Sequence, residues 1–165
     1  MTLASYSDPD RRLLTAWSLD CAEHVLPLFE RMSADTRPRT ALTVGADWLA
    51  SGVFSMSTIR GASLGAHAAA KLLPANSAGA LAAHAAGQAI ATAHVAQHAY
   101  GGAYYALRAV LADADAGDAA ARLGDEHAWQ EERLPDHLRK AIMARLRIAP
   151  RGRSFVVTLD KSPGF

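Results

Sequence analysis

"AGALAAHAAGQAIATAHVAQHAYGGAYYALRAVLA", residues 78–112, decides the fold. Alanine is the strongest helix former and glycine one of the weakest. The run therefore reads as helix from Asn76 or Ser77 onward, divided into two helices at Tyr100-Gly101-Gly102. His84, Gln88, His94, Gln97 and His98 interrupt it, so it lacks the unbroken apolar span of about 20 residues that crosses a bilayer. It belongs in a water-soluble bundle whose small side chains let neighbouring helices approach closely. On one continuous helix His84, Gln88, Ala91, Val95 and His98 share a stripe, with His94 at its edge. Buried polar groups need partners, each unpaired one costing roughly 1–3 kcal/mol.

Working outward, apolar residues at 13, 14, 17, 21, 25 and 28 keep helical period behind Asp8, a cap, and Pro9, at the first helical position. This predicts a helix over 9–32, kinked or ended early at Pro27. A second helix follows, capped by Asp35 or Thr36, with Pro38 in its first turn and Gly52 as its stop. A third spans 55–73 and ends against Pro74. Beyond the alanine run, "DAAARLGDEHAWQEERL" and "PDHLRKAIMARL" form two more, divided at Pro135. The chain of 165 residues suits one all-α domain, residues 1–149, of about six to seven packed helices arranged as a bundle or an array of helical hairpins. Residues 150–165 are a short extended tail. Its run from Phe155 to Leu159, bounded by Gly152 and Pro163-Gly164, has no evident strand partner, so it docks on the helices or stays flexible.

The charge is nearly balanced, 17 Lys+Arg against 16 Asp+Glu, so no global field favours nucleic acid or an anionic membrane. Cys21 is the single cysteine, which excludes an internal disulfide framework. The N-terminus lacks the basic start and apolar run of a secretory signal, and a cytoplasmic protein is expected. "GASLGA" at 61–66 does not match a nucleotide-binding glycine loop.

Candidate chemistry centres on His24, His94 and His98. Trp17, Cys21, His24 and Leu28 share a face of the first helix, with Asp20 one turn before His24 and placed to orient its imidazole. These four, Asp20, His24, His94 and His98, are the candidate catalytic residues if the protein is a small enzyme using acid–base chemistry. The default reading is structural: a network of hydrogen bonds between helices. It requires His24 to lie near His94 or His98. No metal or other cofactor is called for: "HVAQH" lacks the glutamate of a metalloprotease helix and supplies two ligands where zinc takes three or four. Cys21, on an apolar stripe, reads as a small hydrophobe. Candidate binding residues are Arg37, Arg39, Trp48, His84, Gln88, Tyr100 and Tyr104. Arg37 and Arg39 sit at a helix start, where cations are unfavourable; ion pairing with nearby acids is the simpler account. Residues 138–159 carry six cations and no acid, but no stacking aromatics interleave them, which disfavours nucleic acid.

"DCAEHVLPLFE" at 20–30, "DTRPRTAL" at 35–42, "DWLASG" at 47–52, "GQAIATAHVAQHAYGGAYYALRAV" at 87–110 and "WQEERLPDHLR" at 129–139 together resemble the Imm-5-like family of bacterial immunity proteins. The resemblance covers residues 10–147 and leaves the tail unmatched. It implies an all-α array of helices that binds and neutralises a toxin, a protein partner, with self-association left open. It carries no catalytic residues. Near-neutral charge argues against mimicry of nucleic acid at a nuclease site. A helical enzyme or ligand-binding protein built on the histidines is the alternative.

Overall fold

The computed structural model describes residues 5–162. Seven helices are present among them, α1 Asp8–Glu30, α2 Arg37–Ser51, α3 Met56–Ala70, α4 Ala78–Ala91, α5 His98–Asp113, α6 Ala119–Arg133 and α7 Asp136–Met143. They are followed by β1 Leu146–Arg151 and β2 Ser154–Leu159.

α4 is the hub. It packs against α1, α2, α3 and α5, and all but three of its residues, Ala78, His84 and Gln88, are buried. Alanine makes this possible, because a helix buried on nearly every side leaves no room for large side chains at each contact. The aromatic volume comes from α1 and α5 instead, where Trp17, Phe29 and Tyr100 are buried.

The helix division in the alanine run differs from the expected one. The break falls at residues 92–97, which include His94 and end just before His98, and Gly101 and Gly102 lie inside α5. Those glycines serve packing: a Cβ on Gly101 would stand 2.6 Å from Oε1 of Gln88, and one on Gly102 would collide with the Ser18 hydroxyl. Thr92 and Val95, both β-branched, mark the break, and the Thr92 hydroxyl donates back to Gln88 O at 3.2 Å. His84, Gln88 and His98 therefore do not share one helix.

Smaller corrections concern the ends. Ser7 rather than Asp8 caps α1, accepting from Asp10 N at 3.2 Å. α1 runs through Pro27 to Glu30. Gly52, at φ 71°, ends α2 as expected. Pro135 precedes α7 as its cap residue.

The tail does find a strand partner. β1 and β2 pair antiparallel from Leu146↔Leu159 to Arg151↔Ser154, with Gly152 at φ 62° in the tight turn between them. β1 is drawn from residues expected to end the last helix and precede the tail. β2 packs on α5 and α6, burying Val157. The Pro163-Gly164 pair lies outside the described residues. No helix among those described is long and apolar enough to cross a membrane.

Candidate functional site

A cavity of about 670 Å³ lies where the 92–97 turn, the start of α5 and the end of β2 meet; Gln88, His98, Tyr104, Tyr105 and Lys161 are among its lining. His98 Nδ1–H donates to Gln88 Oε1 at 2.7 Å, and that amide is held against Gly101. Burial pushes the His98 imidazole below its ordinary pKa, and neighbouring His94 adds to the effect. The rings of His94 and His98 stand 5.4 Å apart. His94 Nδ1 is buried without a hydrogen-bond partner. His98→Ala, which strands the part-buried Gln88 oxygen, should therefore lower stability by about 1 kcal/mol, and His94→Ala by less. Thermal melts of the two variants side by side check the order.

A second cavity, about 290 Å³, adjoins the first through Tyr105 and is lined by Lys71, Asn76, His84 and Arg108. Here His84 meets a residue the sequence reading did not single out: His67 of α3, with the two Nδ1 atoms 2.8 Å apart. One ring carries the proton and the other accepts it. A Cβ on Gly87 would lie 2.7 Å from His67 Nε2, so that glycine makes room for the imidazole between α3 and α4. Burial lowers the pKa of His67 to about 4, with His84, His98 and Lys71 adding charge repulsion.

His24 belongs to a different place. Its Nδ1 lies 2.7 Å from Oε2 of Glu126 on α6, and its ring stacks on Trp129 at 4.0 Å. Arg133 covers Trp129 at 3.7 Å. Gln130 Nε2 donates to the other Glu126 oxygen at 2.9 Å, and Trp17 Nε1 donates to the Gln130 backbone carbonyl at 2.9 Å. Desolvation raises the Glu126 pKa, opposed first by the Gln130 hydrogen bond and then by His24.

The expected cluster of His24 with His94 and His98 is thus not formed, and Glu126 takes the orienting place expected for Asp20. The reason is rotational. The buried face of α1 is Leu14, Trp17, Ser18, Cys21, Val25 and Leu26, which leaves His24 half-exposed on the side facing α6. Asp20 stands near the Arg133 guanidinium, and burial raises its pKa. A carboxylate fixing one imidazole nitrogen is what acid–base chemistry asks of a histidine. Cys21, one turn away on α1, is fully buried, and desolvation pushes its thiol well up.

The other candidate residues separate into two groups. Arg37 pairs with Asp35 at 2.6 Å, and Arg39 pairs with Glu23 and with Glu30, which explains cations at that helix start. Trp48 is buried beneath the α2–α3 turn with Arg12 over its ring at 5.1 Å. Tyr100 is buried, its hydroxyl bonded to that of Tyr6. Only His84, Gln88 and Tyr104 line the cavities beside α5. Among the described residues no group of three or more His, Cys, Asp and Glu side chains is placed to hold a metal.

Sequence reasoning missed His67, Glu126, Gln130 and Arg108. A signal existed for two of them: Ala119, Leu123, Glu126 and Gln130 fall on one buried stripe of α6, so two polar residues occupy positions where apolar ones are expected.

Comparison with known proteins bears on the whole of this helical assembly. No curated protein and no solved structure matches the chain. The family described as "Imm-5 like putative immunity protein" matches residues 4–137, a span that takes in α1 to α6 and the His24–Glu126 pair and stops short of the hairpin. With most of its length so matched, the chain belongs to the Imm-5-like immunity protein family.

Proposed function

We propose that this chain is an immunity protein that binds and neutralises a toxin of protein nature in the cytoplasm, by a surface centred on α3. The observation that carries the reading is where apolar surface is left uncovered. Of the seven large hydrophobic side chains exposed among the described residues, five are Val53, Phe54, Met56, Leu64 and Leu72. They lie on the α2–α3 turn, on α3 and in the turn that follows it. Exposed apolar groups concentrated in one segment mark an interaction surface more than scattered ones do.

Charge narrows the partner. From Trp48 to Ala112 the sequence contains no aspartate or glutamate. Arg60 and Lys71, both exposed, make no ion pair among the described residues. A face that is apolar and basic suits a partner with an acidic surface and opposes one with a basic nuclease site. Pairing of this face with its own copy would set cations against cations.

The test has two stages. Native mass spectrometry of the protein isolated gently from its own cells identifies any bound polypeptide. That polypeptide, expressed alone in a bacterial host, is expected to arrest growth, and co-expression of the chain to restore it. Leu64→Asp and Arg60→Glu, both solvent-facing, should keep the fold and weaken binding at least about tenfold. A harmless partner, or protection that survives both substitutions, would sink the reading.

A further inference from the structure

β2 has a strand partner on one side only. Asp160 N donates to Arg145 O at 2.8 Å. In the register Arg147↔Thr158, Ala149↔Val156, Arg151↔Ser154, the alternation of an antiparallel ladder makes these the bonded pairs. Phe155, Val157 and Leu159 then aim their N–H and C=O groups away from β1. No hydrogen bond satisfies those groups among the described residues. β1 has a far edge too, but Pro150 stands on it without an N–H, which blunts that edge against pairing. Of the two edges, that of β2 is the one able to accept a strand.

The surroundings of that edge select what comes. A cavity of about 460 Å³ runs beside residues 154–157, and the 670 Å³ cavity continues beside Thr158 and Leu159, with Tyr104 common to both. No carboxylate lines either one. Arg108, in the wall of the 460 Å³ cavity and one helical turn from Tyr104, bonds only neutral groups among the described residues, Asn76 Oδ1 at 2.7 Å and the Tyr104 hydroxyl at 3.3 Å. A guanidinium held in place beside a strand edge, without a carboxylate, is poised for a charge-assisted bond to an anion.

We propose that the outer edge of β2 takes an extended, acidic segment of a protein partner as a third strand, with main-chain bonds to Phe155, Val157 and Leu159 and a carboxylate received by Arg108. This is strand addition to an exposed sheet edge, in which the main chain supplies affinity and flanking side chains supply selectivity. It rests on the immunity reading for the occupant's being a protein partner, and it is independent of the α3 surface. A second copy of the chain is a poor occupant, because its own β2, "SFVVTL", brings no carboxylate to Arg108. The hairpin lies beyond the family-matched residues, whereas Tyr104 and Arg108 lie within them.

The probe is a capped octapeptide alternating valine and glutamate, titrated into the full chain at low salt, with the lysine counterpart as control. Amide exchange followed by NMR reads where it binds. Expected are saturable binding of the glutamate peptide alone and new protection at the amides of Phe155, Val157 and Leu159. Arg108→Glu should weaken that binding at least about tenfold and admit the lysine peptide. Phe155→Pro should abolish it, since this residue faces Pro150 across the hairpin and gives no bond to β1. Absence of binding, protection elsewhere, or a dimer formed through β2 in sedimentation would overturn the proposal. Because the peptide is not the toxin, failure here leaves growth rescue through α3 intact, and loss of rescue leaves the peptide result intact.

Discussion

Replacing Trp17 by alanine is expected to cost about 3–5 kcal/mol of stability, a large share of the roughly 5–15 kcal/mol available to a domain. Trp17 is 2% exposed and fills the space between α1 and α6, where smaller residues cannot close the gap. Its indole also donates to the Gln130 carbonyl, and Gln130 in turn holds Glu126 against His24. Loss of the ring should therefore loosen a polar pair two contacts away. Trp17→Phe separates the two effects: it keeps most of the volume, removes the donor, and should cost about 1 kcal/mol. Urea midpoints for the two variants decide the matter. A loss below about 1.5 kcal/mol for alanine would mean that the α1–α6 seam closes around the missing ring.

Acid should weaken the protein before its carboxylates titrate. In the fold His67 has its pKa lowered from 6.5 to about 4, so the unfolded chain takes up the proton more readily. Stability from this group is complete above about pH 6.5, falls as the pH drops toward 4, and is fully lost below that. At 1.36 kcal/mol per pKa unit the shift corresponds to roughly 3 kcal/mol, and screening of the partly exposed ring reduces this to about 2 kcal/mol. His84, His94 and His98 are shifted in the same direction, each chiefly by burial. Asp10, Asp35, Asp113 and Asp160, held below 3.8, lose their contribution at lower pH. His67→Gln keeps a hydrogen-bonding group opposite His84 but does not titrate, so its melting temperature should fall less steeply between pH 6.5 and 4.5. Equal slopes in the two proteins would show that the His67–His84 contact is open to water.

The helical class was legible because alanine content, apolar period and proline placement all act locally. Ser77 caps the fourth helix where expected, and Gly52 ends the second. The errors have a common source in tertiary packing. Gly101 and Gly102 carry the composition of a breaker, yet they lie within a helix because α1 and α4 press against them. His24 has the period of a buried residue and turns outward because Trp17 and Val25 fix the rotation of α1. The hairpin went unseen since Leu146-Arg147-Ile148 continues an amphipathic helical pattern, and only the pairing with residues 154–159 makes it a strand. Cross-helix partners such as His67 with His84, or His24 with Glu126, follow from topology, which periodicity does not contain.

The alanine hub has a bearing on how this protein can change over time. A helix enclosed by four others through methyl groups and bare glycines accepts almost no enlargement: at Gly87, Gly101 and Gly102 even one added carbon meets a neighbour. By contrast Gly61, on α3, faces open space, and so do the side chains of Arg60 and Leu64. Random substitution should therefore divide the molecule into an intolerant axle, α4 with the first turns of α5, and a permissive rim. Freedom to vary without loss of the fold therefore lies where α3 meets the solvent, while the architecture stays fixed.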